Sequence, residues 1–365
     1  MGRNRAFRMV INPLNRGSMS GGDERKIVNW IGRGEDMPLN RRLLWLILPC
    51  LLFTGLAAPA VAHQSDRPHV HVGGGLSTRP YTFTMQVWYR DSVYDDTAAD
   101  DQFTSLDVYT ADPAEAGSPV MVFVHGGGFR VGDKASSKDL DPKPEYFVSK
   151  LGYVFVSINY RLLPEGQYPR NVQDVANALA WVSNHIAEFG GDPGKIFLMG
   201  HSAGATLVAQ VATDVTFLKN AGKDFSLLKG VIANEGTYGV EVDEGEVQQY
   251  QSLFGADWQA AVPLSHVGPG KQIPPFLLFY VVGGQTMVAN TAAQATGLGD
   301  ALQKAGVRVD LVPLDHVEHF GANERIGESG DITTVSVERF LDSITGRTSP
   351  ATWKSALPMA PPKSE

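Results

Sequence analysis

The sequence predicts an α/β fold: a mostly parallel eight-stranded sheet with helices on both faces and a small cap insertion. Three observations predict it. Short apolar runs (VMVFV, YVFVSI, FLLFYVV) lack the in–out alternation of a half-exposed sheet, as parallel strands covered on both faces do. Longer stretches with apolar residues at helical spacing fall between these runs. Two glycine-rich motifs each follow an apolar run, where a strand would turn into a loop or helix. Such alternation implies a parallel sheet joined by right-handed crossovers.

The amino-terminal section differs in kind. Arg41 and Arg42 precede the apolar run Leu43–Leu56, which ends in Ala57-Ala58-Pro59-Ala60-Val61-Ala62. A basic start, a short apolar core and an A-x-A site describe a secretory signal peptide over residues 37–62, cleaved after Ala62. The run is shorter than the roughly 20 residues of a membrane-spanning helix. The competing readings are a retained anchor or a buried helix. Residues 1–36, upstream of Met37, read as a leader extension or a misplaced start. The expectation is a secreted or periplasmic protein with no stable membrane anchor after signal cleavage.

Cleavage would also remove Cys50, the single cysteine. That leaves no disulfide, no cysteine nucleophile and no cysteine-ligated zinc; a core of this size needs none of them. The whole chain carries a formal charge of −8, and the part after Ala62 holds 22 Lys+Arg against 35 Asp+Glu. So acidic a body is a poor nucleic-acid binder.

Residues 63–80, rich in Gly, Pro and His, read as a flexible terminus. His63, His69 and His71 lack matching acidic or cysteine ligands, so only adventitious metal binding is expected there. Neither a metal nor a cofactor is expected elsewhere. Strands are predicted over Thr82–Tyr89, Ser105–Thr110, Val120–Val124, Tyr153–Ile158, Ile196–Met199, Gly230–Ala233, Phe276–Val282 and Arg308–Pro313. Helices are predicted over Val172–Phe189, Ala203–Thr213, Thr291–Ala305 and Thr333–Ile344. Together these form one domain over 81–345. Within it, residues 235–274 lack a strong strand but bring Tyr238, Tyr250, Phe254 and Trp258, the pattern of a cap-like insertion. The Pro/Ser-rich tail 346–365 reads as disordered.

Gly200-His201-Ser202-Ala203-Gly204 follows the predicted strand KIFLM and opens a predicted helix. A serine on so tight a turn needs flanking glycines, because the helix must approach the strand closely. The helix start then favours negative charge developing beside Ser202. His125-Gly126-Gly127-Gly128 follows VMVFV; glycines there let backbone N–H groups face a cavity, as an oxyanion hole requires. Either motif alone is weak. Together, at the ends of two parallel strands, they point to nucleophilic acyl chemistry. A general base must then lie after the last strand, where Asp315-His316-Val317-Glu318-His319-Phe320 offers two histidines. His319, deeper in the loop, is preferred; His316 is the fallback.

On these residues the chain resembles the α/β-hydrolase fold esterases of the HGGG group, in the branch of kynurenine formamidase-like and feruloyl-esterase-like enzymes. The carrying stretches are Leu106-Asp107-Val108-Tyr109, VFVHGGGFRVGDK (122–134), Ser157-Ile158-Asn159-Tyr160-Arg161-Leu162, GGDPGKIFLMGHSAGATL (190–207) and Pro274-Pro275-Phe276-Leu277-Leu278. The likeness spans about residues 84–345. It implies Ser202 as nucleophile, His319 as base, and the backbone N–H groups of Gly127, Gly128 and Ala203 as oxyanion donors. It also implies an Asp shortly after the strand FLLFYVV, and here the chain departs. No Asp or Glu occurs between Lys271 and Asp300, and the slot holds Gly283 or Gln285. Three outcomes are open: Glu235, at the end of the neighbouring strand, serves instead; an amide such as Gln285 or Asn290 holds the imidazole; or the enzyme is weak or inactive.

The leading functional expectation is cleavage of carboxylic esters, with short acyl or aryl esters favoured. An amidase or formamidase would use the same machinery, since both reactions pass through one tetrahedral intermediate. A non-catalytic binding protein on a hydrolase scaffold is the reading that the missing Asp supports.

Overall fold

In the computed structural model the described residues are 84–95, 101–112, 114–240, 242, 244–283 and 290–347. All belong to one compact unit, Val70–Glu365. The signal segment, residues 63–80, Gln285 and the tail from residue 348 lie outside the described residues.

Eight strands form one sheet: β1 (Thr84–Val93), β2 (Ser105–Asp112), β3 (Ser118–Val124), β4 (Val154–Ile158), β5 (Gly191–His201), β6 (Leu228–Asn234), β7 (Phe276–Val282) and β8 (Val309–Asp315). Their order is β1-β2-β4-β3-β5-β6-β7-β8. β2 pairs antiparallel with β1 and β4 at one edge, and every remaining pair is parallel. The α-helices longer than three residues are α1 (Ser137–Leu140), α2 (Arg170–His185), α3 (Ala203–Thr213), α4 (Val215–Asn220), α5 (Glu244–Phe254), α6 (Thr291–Lys304), α7 (Gly321–Glu324) and α8 (Ile332–Thr345).

The unbroken apolar runs have a packing reason. Val120, Val122 and Val124 of β3 join one core with Leu198 of β5, Val175 and Leu179 of α2 and Val208 of α3. Met121 and Phe123 of the same strand point the other way, into a second core with Phe155, Phe197 and Phe340. Each such side chain contributes about 1.5–3 kcal/mol on burial, so a central strand has no position where a polar residue is cheap.

Several bounds differ from the sequence expectation: β1 runs on to Val93, past the expected end at Tyr89, and β6 spans Leu228–Asn234 rather than Gly230–Ala233. β5 begins at Gly191, well before Ile196. Its register against β3 jumps between Ser118 and Val120, and Pro193, Gly194 and Lys195 are exposed. This polar lead-in carries no hydrophobic signal. Residues 137–150, where no element was expected, hold α1 and a wide helical turn over Tyr146–Lys150. Pro142 and Pro144 break that segment into pieces too short for periodicity to register.

In the segment 235–274, α5 is the longest element, followed by 3₁₀ turns at Trp258–Ala261 and Pro263–His266. No strand interrupts its described residues. Phe254 of α5 meets Phe129 edge-on at 5.5 Å, and Tyr250 meets Trp258 at 5.1 Å. These rings seat the segment against the residue that follows the glycine loop. The functional residues gather at the carboxyl ends of β3, β5 and β6 and in the loop after β8, where open α/β sheets place their sites.

Candidate active site

Ser202 occupies the turn between β5 and α3 with φ 54° and ψ −119°. Few non-glycine residues adopt such a backbone, which costs about 1–3 kcal/mol and persists where its surroundings enforce it. Here they do. Ser202 N–H donates to the Asn234 carbonyl at 2.9 Å. A Cβ on Gly204 would collide with the carbonyl oxygen of Val124, and one on Gly200 with that of Gly204. The pentapeptide glycines are therefore a condition of strand and helix meeting at this distance. α3 then begins directly behind the nucleophile, its free N–H groups aimed at the same place.

The glycine loop lies against this turn. A Cβ built on Gly126 would stand 3.1 Å from Ser202 Cβ. Gly127 (φ 108°) and Gly128 (φ 60°) take left-handed conformations, and the Gly127 carbonyl accepts from the N–H groups of Arg130 and Val131, both at 3.1 Å. His125 anchors the loop from below: its ring stacks on Tyr160 at 4.5 Å, and the Tyr160 hydroxyl donates to the His125 carbonyl at 3.2 Å. Burial pushes the His125 imidazole down from its usual pKa, so it serves as a neutral structural ring.

His319 is 3% exposed, and its Nδ1 lies 3.0 Å from Oε2 of Glu235. Glu235 is buried in turn, and its Oε1 accepts the Val281 N–H at 2.6 Å. With one oxygen held by the backbone, the other faces the imidazole. A carboxylate accepts only, so Nδ1 carries a proton, and in the neutral ring Nε2 is the nitrogen left to accept one. Glu235 itself sits at φ 62°, a second non-glycine residue in the left-handed region. Its N–H donates to Phe279 of β7 at 3.2 Å.

His316 is placed otherwise. It is 81% exposed, 3.5 Å from Asp315, which is itself 75% exposed. The nearest side chain to the family acid position, Gly283, is this outward-facing His316. Asn290 starts α6 in a left-handed conformation. Among the described residues, the structure thus brings together Ser202, His319, Glu235 and the glycine loop, and leaves His316 and Asp315 at the surface.

Two partners were missed from sequence. The Asn234 side chain donates to the Ala322 carbonyl at 2.8 Å, tying the end of β6 to the histidine loop. His201 Nε2 lies 3.0 Å from the carbonyl of His319. Both stand next to a residue already singled out, and that adjacency was the available signal. No group of three or more metal-ligating side chains occurs among the described residues. No described helix is long and apolar enough to cross a membrane.

The family model BD-FAE matches residues 106–280. A probable carboxylic ester hydrolase of Mycobacterium tuberculosis, LipM, is 26% identical over 295 residues, covering 74% of this chain and 66% of its own length. A probable isoprenylcysteine alpha-carbonyl methylesterase of Arabidopsis thaliana is 26% identical, covering 67% of this chain and 54% of its own. The chain thus spans about half to two thirds of these relatives. Among solved structures, the apo form of Thermogutta terrifontis esterase 2 superposes with a TM-score of 0.57 at 26% identity, covering 75% of this chain and all of that one. The same esterase phosphonylated by sarin superposes with a TM-score of 0.56, also at 26% identity, over 74% of this chain and 98% of that one. The fold is that of the α/β-hydrolases.

Proposed function

We propose that the chain is a carboxylesterase-type serine hydrolase that cleaves carboxylic esters through an acyl-enzyme. The observation that carries this reading is the buried His319–Glu235 pair beside a strained Ser202 and a left-handed glycine loop. Ser202 Oγ attacks the ester carbonyl while His319 Nε2 takes its proton. Glu235 stabilises the imidazolium that results. The N–H groups of Gly127, Gly128 and Ala203 receive the negative charge on the tetrahedral oxygen. The bond to the alcohol breaks, and the proton on Nε2 leaves with that alcohol. Water then repeats the cycle on the acyl-enzyme and releases the acid.

The Phe129–Phe254 contact and the Tyr250–Trp258 pair favour a mostly apolar pocket for short acyl or aryl esters. The HGGG motif and its His125–Tyr160 underpinning favour the HGGG branch of these esterases. The Arg41–Ala62 pattern favours export and cleavage before His63.

Labelling with a fluorophosphonate probe tests the reaction class; the phosphonylated relative makes it the natural reagent. Covalent modification at Ser202, with turnover of p-nitrophenyl acetate or butyrate exceeding that of palmitate, is the expected result. Absence of both labelling and turnover would leave a binding protein on a hydrolase scaffold. Palmitate as best substrate would point to a lipase.

A further inference from the structure

His201 stands inside the nucleophile motif, yet its side chain takes no part in the steps above. It is 1% exposed and touches three parts of the site at once. Its Nε2 lies 3.0 Å from the backbone carbonyl of His319, and the two rings meet at a tilt of 38° with centroids 4.7 Å apart. Its Nδ1 faces Asp139 of α1 at 3.7 Å, beyond hydrogen-bond distance. A Cβ on Gly126 would come within 3.1 Å of that same nitrogen, so the ring also packs against the glycine loop.

We propose that His201 is a positioning residue for the base: its Nε2–H donates to the His319 carbonyl and fixes where the His319 imidazole sits. This rests on the reading of the chain as a serine hydrolase. The donor assignment follows from chemistry, since a carbonyl oxygen can only accept. The proton is therefore on Nε2, and Nδ1 holds the lone pair.

Charge supports the same arrangement. In the proposed reaction His319 becomes positive, and a second positive ring packed against it would oppose that step. Burial pushes the His201 imidazole below its usual pKa, partly offset by Asp139, and His319 adds to the lowering. The charged or titratable groups around it are Asp139 from α1, with Lys143 behind it on the Asp139 carbonyl at 2.8 Å, His319 from its own loop, and His125 from the glycine loop. A neutral ring that donates through Nε2 can hold the base without competing for its proton. The rest of the histidine loop is tied down independently: Asn234 holds Ala322, and the Asn323 amide donates to the Asp139 carbonyl at 3.1 Å. His201 reaches the backbone of His319 itself, while Glu235 holds its ring.

The test compares His201→Met, which removes the N–H, with His201→Gln, which keeps one, using full-length protein and p-nitrophenyl acetate. His201→Met should lower kcat by about 10²-fold, the scale of an ångström-sized misplacement, with KM within about threefold of wild type. His201→Gln should recover at least half of that loss on a logarithmic scale. Nitrogen-detected histidine spectra of the wild-type protein at pH 8 give a second readout that needs no variant to fold: the proton should sit on Nε2 of His201. A His201→Met enzyme within twofold of wild-type kcat would overturn the inference. So would an equal loss in the Met and Gln variants at unchanged melting temperature, or a proton found on Nδ1. Wild-type protein that hydrolyses no ester overturns the reaction itself, a result distinct from each of these.

Discussion

The carboxyl ends of β6 and β7 lie side by side and carry opposite surfaces. β6 ends in Asn234 and is followed by Glu235, each 1% exposed, with Glu235 held by Val281 N–H on one oxygen and facing His319 with the other. β7 ends in Val282, 40% exposed, and Gly283, beside the outward-facing His316. The family resemblance places an acid after β7, and this chain has none there. Neighbouring strands are about 4.8 Å apart, and Glu is one methylene longer than Asp. A carboxylate moved one strand over can therefore still reach the base. The difference teaches that burial and two occupied oxygens define the candidate acid better than its position in the chain. The histidine loop repeats the lesson: two residues separate His316 from His319, and only the buried one meets a buried carboxylate.

Several substitutions break or sharpen this contrast. The largest effect belongs to Ser202→Ala, which removes the group both strand ends would serve. Ester turnover should fall by about 10⁴–10⁶-fold and fluorophosphonate labelling should vanish; a labelled Ser202→Ala protein would mean that the nucleophile lies elsewhere. His319→Ala should come close to that loss, again about 10⁴-fold or more, whereas His316→Ala should change kcat less than twofold. Reversal of those two outcomes, read from steady-state kinetics, would hand the role of base to the exposed histidine. The smallest effect is expected from Gln285→Asp, which returns a carboxylate to the β7 side. With Glu235 already on Nδ1, turnover should move less than threefold. A large rise would show that the native enzyme lacks a working acid.

How much of this was legible in the sequence depended on how local the signal was. The central strands were readable because burial on both faces leaves unbroken apolar runs. The β5 lead-in was not, because Pro193, Gly194 and Lys195 pair irregularly in water. Ser202 and the glycines were readable because close backbone approach forbids a Cβ, and that prohibition is written in residue type. Glu235 carried no motif. It surfaced only because strand order put β6 beside the empty slot, and its positive φ and buried oxygens are tertiary facts. His201 and Asn234 were hidden for a related reason: their partners, the carbonyls of His319 and Ala322, come from a loop far along the chain and any residue type would supply them.

The central claim is that Glu235 orients and stabilises His319, and Glu235→Gln tests it most directly. The amide can still accept the Val281 N–H, so the fold and melting temperature should hold. It cannot stabilise the imidazolium that forms as Ser202 attacks. In p-nitrophenyl acetate hydrolysis at pH 8, kcat should fall by about 10²–10⁴-fold, the upper end being the loss when a triad carboxylate becomes an amide, with KM little changed. A Glu235→Gln enzyme that keeps near wild-type kcat would contradict the account and move the acid away from β6.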